Sequence, residues 1–396
     1  MASGTKTPVS AKPFDRQELA EIRAEFPALQ RYVYFASNGL GVMPRRAVAA
    51  ATGVLRKLAR DGIVFEIFQA RHLVEQARST VARFLGVGPE EIAFCRNTTE
   101  GLLWAAESLP WEPGDEVLIP WGSHPATVLP FLARQPTGLR VRWVRPRAEW
   151  VTLDDFQAAW SPRTRAVVLS WVEFHNGFRH DLAGVGCLAH RQNAWLVCDA
   201  VQGWGALPFD AGGLPVDVAS AGAQKWLLGP PGVGVFYVAR AARARMRILH
   251  IGAESLEVPD EPSGPIEGYT TAVSEHARCF EEGMRNLPGV AALAASVQWL
   301  GDLGTERIAA QIRALSDYLA SSVEPYGWRV ASPRGGERWS GIILLEPPAG
   351  QDAEAWMHRL HREHIAINHR QGCLHLGIHF YNSPDDVDAL VRVLAR

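Results

Sequence analysis

Cysteine is scarce in this 396-residue chain: there are five. Cys95, Cys187, Cys198, Cys279 and Cys373 are scattered, and none makes a CxxC pair. That argues against a disulfide framework or a zinc site, so no metal is expected, and for a reducing compartment. No apolar run approaches the ~20 residues that a membrane helix needs. The N-terminus, MASGTKTPVSAKPFDR, has no apolar signal core, so no secretory leader is expected. Net charge is nearly absent too, at −2. This leaves no electrostatic footprint for nucleic acid or an anionic membrane. No internal repeat or low-complexity tract is visible. The default expectation is a cytoplasmic enzyme with a small-molecule substrate.

What is present describes a globular protein. Apolar residues make up 47% and charged residues 21%, and the length allows two domains with sizeable cores. Fourteen tryptophans serve core packing first, with aromatic walls around a planar ligand as a second use.

The chain is organised around residues 195–237, WLVCDAVQGWGALPFDAGGLPVDVASAGAQKWLLGPPGVGVFY. Short apolar runs bounded by Gly and Pro read as buried strands. One such run ends on Asp199, with Gln202 close behind. The next leads into a lone lysine, Lys225, before a Gly/Pro turn and a third run. A desolvated lysine can form a Schiff base with an aldehyde. A buried carboxylate can keep a pyridine nitrogen protonated, and pyridoxal phosphate needs both groups. The plainer alternative is a helix-capping aspartate and a surface lysine.

Upstream, strands and helices alternate. Strands are expected at 31–35, 91–95, 116–120, 139–144 and 165–170. Helices are expected at 14–26, 44–60, 65–85, 128–134, 153–159 and 181–192. This spacing argues for an α/β domain with a mostly parallel sheet, where ligands bind at the carboxyl ends of the strands. Thr98, His124, Glu173, Asp199 and Lys225 all follow predicted strands. Asn97-Thr98-Thr99 opens a helix and suits either an anion site or an ordinary cap. After residue 238 the pattern changes. A helix at 239–247 and an irregular crossing segment at 251–269 precede a smaller α+β domain. That domain has helices from about 288–300, 305–323, 353–363 and 385–396, and strands at 328–330, 341–345, 366–368 and 373–379.

Taken together, YFASNGLGVMPRRAV, FCRNTTEGL, SHPATVLPF, SWVEFHNGFRHDL, DAVQGWGALPFD, AQKWLLGPPGVGVFYV, FEEGMRNLPGVAAL and IHFYNSPDDVDALV resemble the class V aminotransferase superfamily of pyridoxal-phosphate enzymes. The resemblance covers about residues 25–396. It implies fold type I: a large domain with a mostly parallel seven-stranded sheet at 31–285 and a small domain at 286–396. Residues 15–30 would pack with the small domain, and residues 1–14 would form a flexible leader. It implies that Lys225 carries the cofactor and moves the α-proton, and that Asp199 pairs with the pyridinium. Gln202 would bond the ring 3′-oxygen, His124 would stack on the ring, and Thr98, Thr99 and Gln224 would contribute to holding the cofactor. It also implies a homodimer, with the segment around Gly283 crossing to the neighbouring subunit.

The departures bear on phosphate and substrate. Gly222 stands where the family has a phosphate-binding Ser, Gln224 where it has His, and Gly283-Met284 where it has Gly-Thr. Arg285 is one replacement for the lost phosphate contacts. His375 occupies the place of the carboxylate-binding arginine and cannot form the bidentate fork; Arg370 is one substitute, the alternatives being a substrate without an ordinary α-carboxylate or one whose carboxylate is the group removed. Asn38, Glu173, His175, Arg370 and His375 are the candidate substrate contacts. Glu173 and His175 would recognise a cationic or hydrogen-bonding tail, or else are surface loop residues. A cysteine desulfurase is disfavoured, because residues 360–366 hold no cysteine and Cys373 lies too close to the strand. The expected activity is a lyase or transferase of secondary metabolism acting on an amino acid, with C–S lysis as an example. An isopenicillin-N-epimerase-like epimerase, an aminotransferase and a non-catalytic regulator are the alternatives.

Overall fold

The computed structural model describes residues 11–257 and 272–396. The N-terminal helix Arg16–Ala24 is capped by Asp15 in a reciprocal box with Glu18. Arg23 ties it to the C-terminal region through the Tyr381 carbonyl and Asp386. Phe14, expected at the end of a leader, is buried beside Phe380. Strand β1 (Val33–Tyr34) pairs in parallel with Ile365–Ala366 of the C-terminal region.

The large sheet comprises β2 (Ile92–Cys95), β3 (Glu116–Pro120), β4 (Arg140–Val144), β5 (Thr164–Ser170), β6 (Trp195–Asp199), β7 (Val218–Gly222) and β8 (Gly234–Val238). Their order is β2-β8-β7-β6-β5-β3-β4. Only β8 runs against its neighbours, so six strands end on one rim. Alternate residues enter two core layers, Leu118, Val167 and Leu196 on one face and Ile119, Val168 and Val197 on the other. The period of two puts successive side chains on opposite faces. A sheet covered on both sides requires the near-continuous apolar runs that the sequence carries.

The second sheet holds β9 (Arg329–Val330), β10 (Ile342–Glu346), β12 (Asn368–Arg370) and β13 (Cys373–Gly377), with Ile365–Ala366 as β11 outside it. Phe35, Leu319, Ile343, Leu345, Leu374 and Leu376 form its core. The long helix Leu287–Leu303 follows the Asn286 cap and Pro288.

Several sequence expectations change. The helix expected at 65–85 begins at Ile63 and is interrupted by a π-turn at Glu66–Ala70. The helix expected at 239–247 is a single turn, Arg240–Arg243. The strand expected at 366–368 is split into β11 and β12. Of the irregular segment at 251–269, residues from 258 lie outside the described ones; what precedes them includes the short turn Ala253–Ser255.

Candidate active site

The loops after β2, β3, β5, β6 and β7 meet at the shared rim. Asp199 ends β6, opposite Ser220 of β7, and is buried. One carboxylate oxygen accepts from the Thr127 hydroxyl at 2.9 Å, the other from the Val201 N–H at 3.0 Å. Burial raises its pKa, opposed by those two bonds and by the charge of Lys225. Lys225 lies in the turn after β7. Burial lowers its pKa, Asp199 opposes that shift and Arg370 adds to it. Neither group is a fully solvated surface charge: Asp199 is buried and Lys225 half-buried, and the charge of each acts on the other.

Gly41 holds the lysine turn in place. Its N–H donates to the Gln224 carbonyl at 2.7 Å, and a Cβ at Gly41 would lie 2.0 Å from the Lys225 carbonyl oxygen. Any side chain there would push the lysine aside.

His124 caps the helix Pro125–Leu132, with Nδ1 accepting from the Ala126 N–H at 3.0 Å. A ring nitrogen used as an acceptor keeps the imidazole neutral. Burial and the charge of Lys225 also lower its pKa. Its ring meets Phe174 edge-on at 4.8 Å. Gln202 is buried, with Nε2 donating to the Asn38 carbonyl at 3.0 Å and Oε1 accepting from the Trp226 indole at 2.7 Å.

At the end of β2, Asn97 caps the helix Thr98–Ser108 by accepting from the Glu100 N–H. The Thr98 hydroxyl accepts from the Gly222 N–H at 2.8 Å. The Gln224 amide folds over Gly222, so that a Cβ there would lie 2.3 Å from Gln224 Oε1. Arg285, by contrast, is engaged by Glu281 and Glu254.

Asn38 and His375 are both buried, with Asn38 Nδ2 3.1 Å from His375 Nδ1. Burial and then the charge of Arg370 push the His375 pKa down to about 4. Arg370, exposed on β12, lies over the Phe174 ring at 4.6 Å. No carboxylate among the described residues pairs with it. Glu173 is buried, and its Oε1 lies 2.9 Å from the Ser123 hydroxyl and 3.2 Å from His180 Nε2. Asn38 ties Gln202 to His375, Phe174 lies against both His124 and Arg370, and Thr98 bonds the Gly222 N–H; Thr99, half-buried in the first turn of its helix, makes no side-chain bond to any of these. Thr127, Trp226 and Phe174 also belong here and were not singled out. Thr127 lies in the quoted SHPATVLPF, and nothing local points its hydroxyl at a carboxylate 72 positions away.

Comparison with known proteins identifies the class. The model of the family described as aminotransferase class-V matches residues 33–392, and the chain belongs to that family, whose members are pyridoxal-phosphate enzymes. A probable cysteine desulfurase from Methanothermobacter thermautotrophicus is 24% identical, covering 94% of this chain and 96% of its own. The cysteine desulfurase CsdA of Escherichia coli is 28% identical, covering 95% and 97%. The solved cysteine desulfurase from Thermococcus onnurineus NA1 superposes with a TM-score of 0.85 at 23% identity, covering 95% of this chain and 97% of its own. That likeness shows the fold.

The residues fit a pyridoxal phosphate. A half-buried amine and a buried carboxylate act on each other's charge, and the buried Asn38 Oδ1 lacks a protein partner among the described residues. The protein is a pyridoxal-phosphate-dependent enzyme of class V. A role in secondary metabolism finds no support among these relatives.

Proposed function

We propose that the protein is a lyase or transferase that breaks a bond at Cα or Cβ of an amino substrate, a C–S bond being one example. The observation that carries this reading is the half-buried Lys225 amine, whose charge acts on the buried Asp199 carboxylate. When bound, the cofactor supplies an electron sink for charge developing at the substrate α-carbon. Lys225 would hold the cofactor and then take or return the α-proton, for which a lowered pKa suits it. Asp199, oriented by Thr127 and Val201, keeps the pyridine nitrogen protonated. His124, neutral, would pack against the ring. The second N–H of the Gln202 amide remains for the ring oxygen. Thr98, Thr99 and the folded-over Gln224 amide receive the phosphate at the helix N-terminus. Arg285, spent on two glutamates, does not take this part. Arg370 takes the substrate carboxylate, beside a neutral His375 and Asn38.

This reading departs from a cysteine desulfurase. Cys373 opens β13, and burial raises its thiol pKa away from the reactive thiolate. We also propose a homodimer. Ile63, Val64, Ile67 and Phe68 expose apolar side chains around the π-turn, the kind of cluster that marks an interaction surface.

The test is borohydride reduction followed by peptide mapping. The cofactor should be fixed on Lys225, the other lysines being Lys6, Lys12 and Lys57. Lys225→Ala should lose the label and at least ~10³-fold in turnover with an intact thermal transition. A label elsewhere, or undiminished turnover, overturns the reading.

A further inference from the structure

Phe174 lies in a closed turn after β5. Val172 bridges Arg179 across the base of that turn. The Glu173 N–H donates to the Phe178 carbonyl and the Gly177 N–H to the Glu173 carbonyl, both at 2.8 Å. The segment before β10 clasps the turn from the second sheet. There the Ser340 hydroxyl donates to the Gly177 carbonyl at 2.7 Å, and the Arg338 carbonyl accepts from the Arg179 N–H at 3.0 Å. Gly177 has φ 78°, and a Cβ on it would lie 2.6 Å from the Ile342 carbonyl oxygen. The half-buried Phe174 ring is therefore carried on a backbone fixed from both sides.

Two candidate site residues meet this ring. His124 approaches edge-on, with centroids 4.8 Å apart and an interplanar angle of 88°. Arg370 lies over it, with Cζ 4.6 Å from the centroid. His124 follows β3 of the large sheet, whereas Arg370 ends β12, the edge strand of the second sheet, just before the tight turn at Gln371 and Gly372. The three side chains thus form a file that crosses from one sheet to the other. Arg370 is otherwise unheld: among the described residues its side chain makes no hydrogen bond and no ion pair. An exposed arginine on an edge strand has much rotamer freedom to lose when it binds. A ring face restrains the guanidinium by attracting its charge, and it consumes none of the five N–H donors. A carboxylate partner in the same place would occupy the fork that a substrate carboxylate needs. Burial lowers the pKa of Lys225, His124 and His375, and the charge of Arg370 adds to each shift. The guanidinium is therefore held within electrostatic range of the reacting amine.

We propose that Phe174 is a positioning residue, whose ring face holds the Arg370 guanidinium with its N–H fork free for the α-carboxylate of the substrate. The inference rests on the proposed reading that Arg370 takes that carboxylate, and it names the group that aims it. A ring that only filled space in the turn would be replaceable by any apolar side chain of similar size. A ring that holds a cation is not, because the attraction comes from the negative charge on its face.

The test is calorimetric titration of the holoenzyme with L-2-aminobutyrate and with 1-aminopropane, the same chain without the carboxylate. The preference for the acid over the amine, taken as the ratio of their dissociation constants, reports the carboxylate site. Arg370→Gln should lower that preference at least ~10-fold. Phe174→Leu should lower it ~5-fold or more while the constant for the amine stays within ~2-fold. Phe174→Tyr keeps a ring face and should hold the preference within ~2-fold of the wild-type value. Phe174→pentafluorophenylalanine keeps the outline of the ring and reverses the charge on its face, so it should behave as Phe174→Leu does. Equal weakening of acid and amine in Phe174→Leu overturns the proposal, as does a wild-type preference in the fluorinated variant. Should Phe174→Leu fail to fold, the fluorinated variant decides. A preference untouched by Arg370→Gln defeats the reading of Arg370 and this inference with it. A preference lowered by Arg370→Gln but untouched by the changes at Phe174 defeats this inference alone.

Discussion

Lys225 and Asp199 govern each other's ionisation. Burial alone favours a neutral amine and a protonated carboxyl, and each group's charge restrains the other's shift. Thr127 and the Val201 N–H add bonds that favour the carboxylate. Replacing Asp199 by Asn keeps the shape and removes the charge. Turnover should fall by ~10²-fold or more, the size of loss seen when one preorganised electrostatic partner is deleted. Lys225, no longer supported by the anion, should lose its proton more easily. The acidic limb of the kcat/KM profile should therefore move to lower pH. Unchanged turnover together with an unmoved limb would remove Asp199 from the centre.

Between elements, one buried ion pair acts as a rivet. Arg78, on the helix Arg71–Leu85, donates to the Ile92 carbonyl at 2.8 Å and to Glu281 at 2.6 Å. Glu281 also accepts from the Phe94 N–H at 2.7 Å. Helix, edge strand and the segment before Asn286 are thereby joined. Glu281→Gln leaves a buried guanidinium without its full counter-charge, and the urea midpoint should drop by the equivalent of ~3–5 kcal/mol. The double variant Arg78→Met with Glu281→Leu should lose less, because no lone charge is left buried. Equal losses in the two would show that packing, not charge, holds the joint. The sequence could display elements but not this joint. Strands β6, β7 and β8 were readable as short apolar runs, and the segments after them as places for Asp199 and Lys225. The Asn97 cap was readable from its position before a helical pattern. Pairings across long separations were not: Arg78 with Glu281, Trp226 with Gln202, β1 with β11. Such partners are set by how strands order in the sheet, which no local period records. The π-turn also escaped, because its apolar residues continue the helical pattern around it. The depth at which Glu173 is buried was equally hidden, since a carboxylate in a loop reads as solvated until Ser123 and His180 are seen to reach it.

At the scale of the whole molecule, two properties depend on burial. If the apolar turn around Phe68 is covered by a second copy, Phe68→Asp should convert the dimer to monomer in sedimentation equilibrium; an unaltered mass would place the interface elsewhere. Stability against pH follows from the buried histidines. His379 is fully buried, with Nδ1 accepting from the Phe380 N–H and Nε2–H donating to the Trp226 carbonyl. Both nitrogens are satisfied in the neutral form, and burial pushes its pKa down to about 3, against an ordinary 6.5. His375 is pushed down to about 4. Above pH 6.5 these rings are neutral in folded and unfolded chains alike, and their contribution is fully present. Below 6.5 the unfolded chain takes up protons that the folded one refuses, so stability falls with pH toward the folded values. Each ring contributes a slope of up to ~1.4 kcal/mol per pH unit. Urea midpoints measured between pH 6.5 and 5 lie above the ordinary carboxylate range and should fall steadily. His379→Gln, whatever its cost at pH 7, should flatten that decline by about one ring's share. A decline of the same steepness in the variant would mean that His379 is protonated in the folded protein and that its Nδ1 does not accept from the Phe380 N–H.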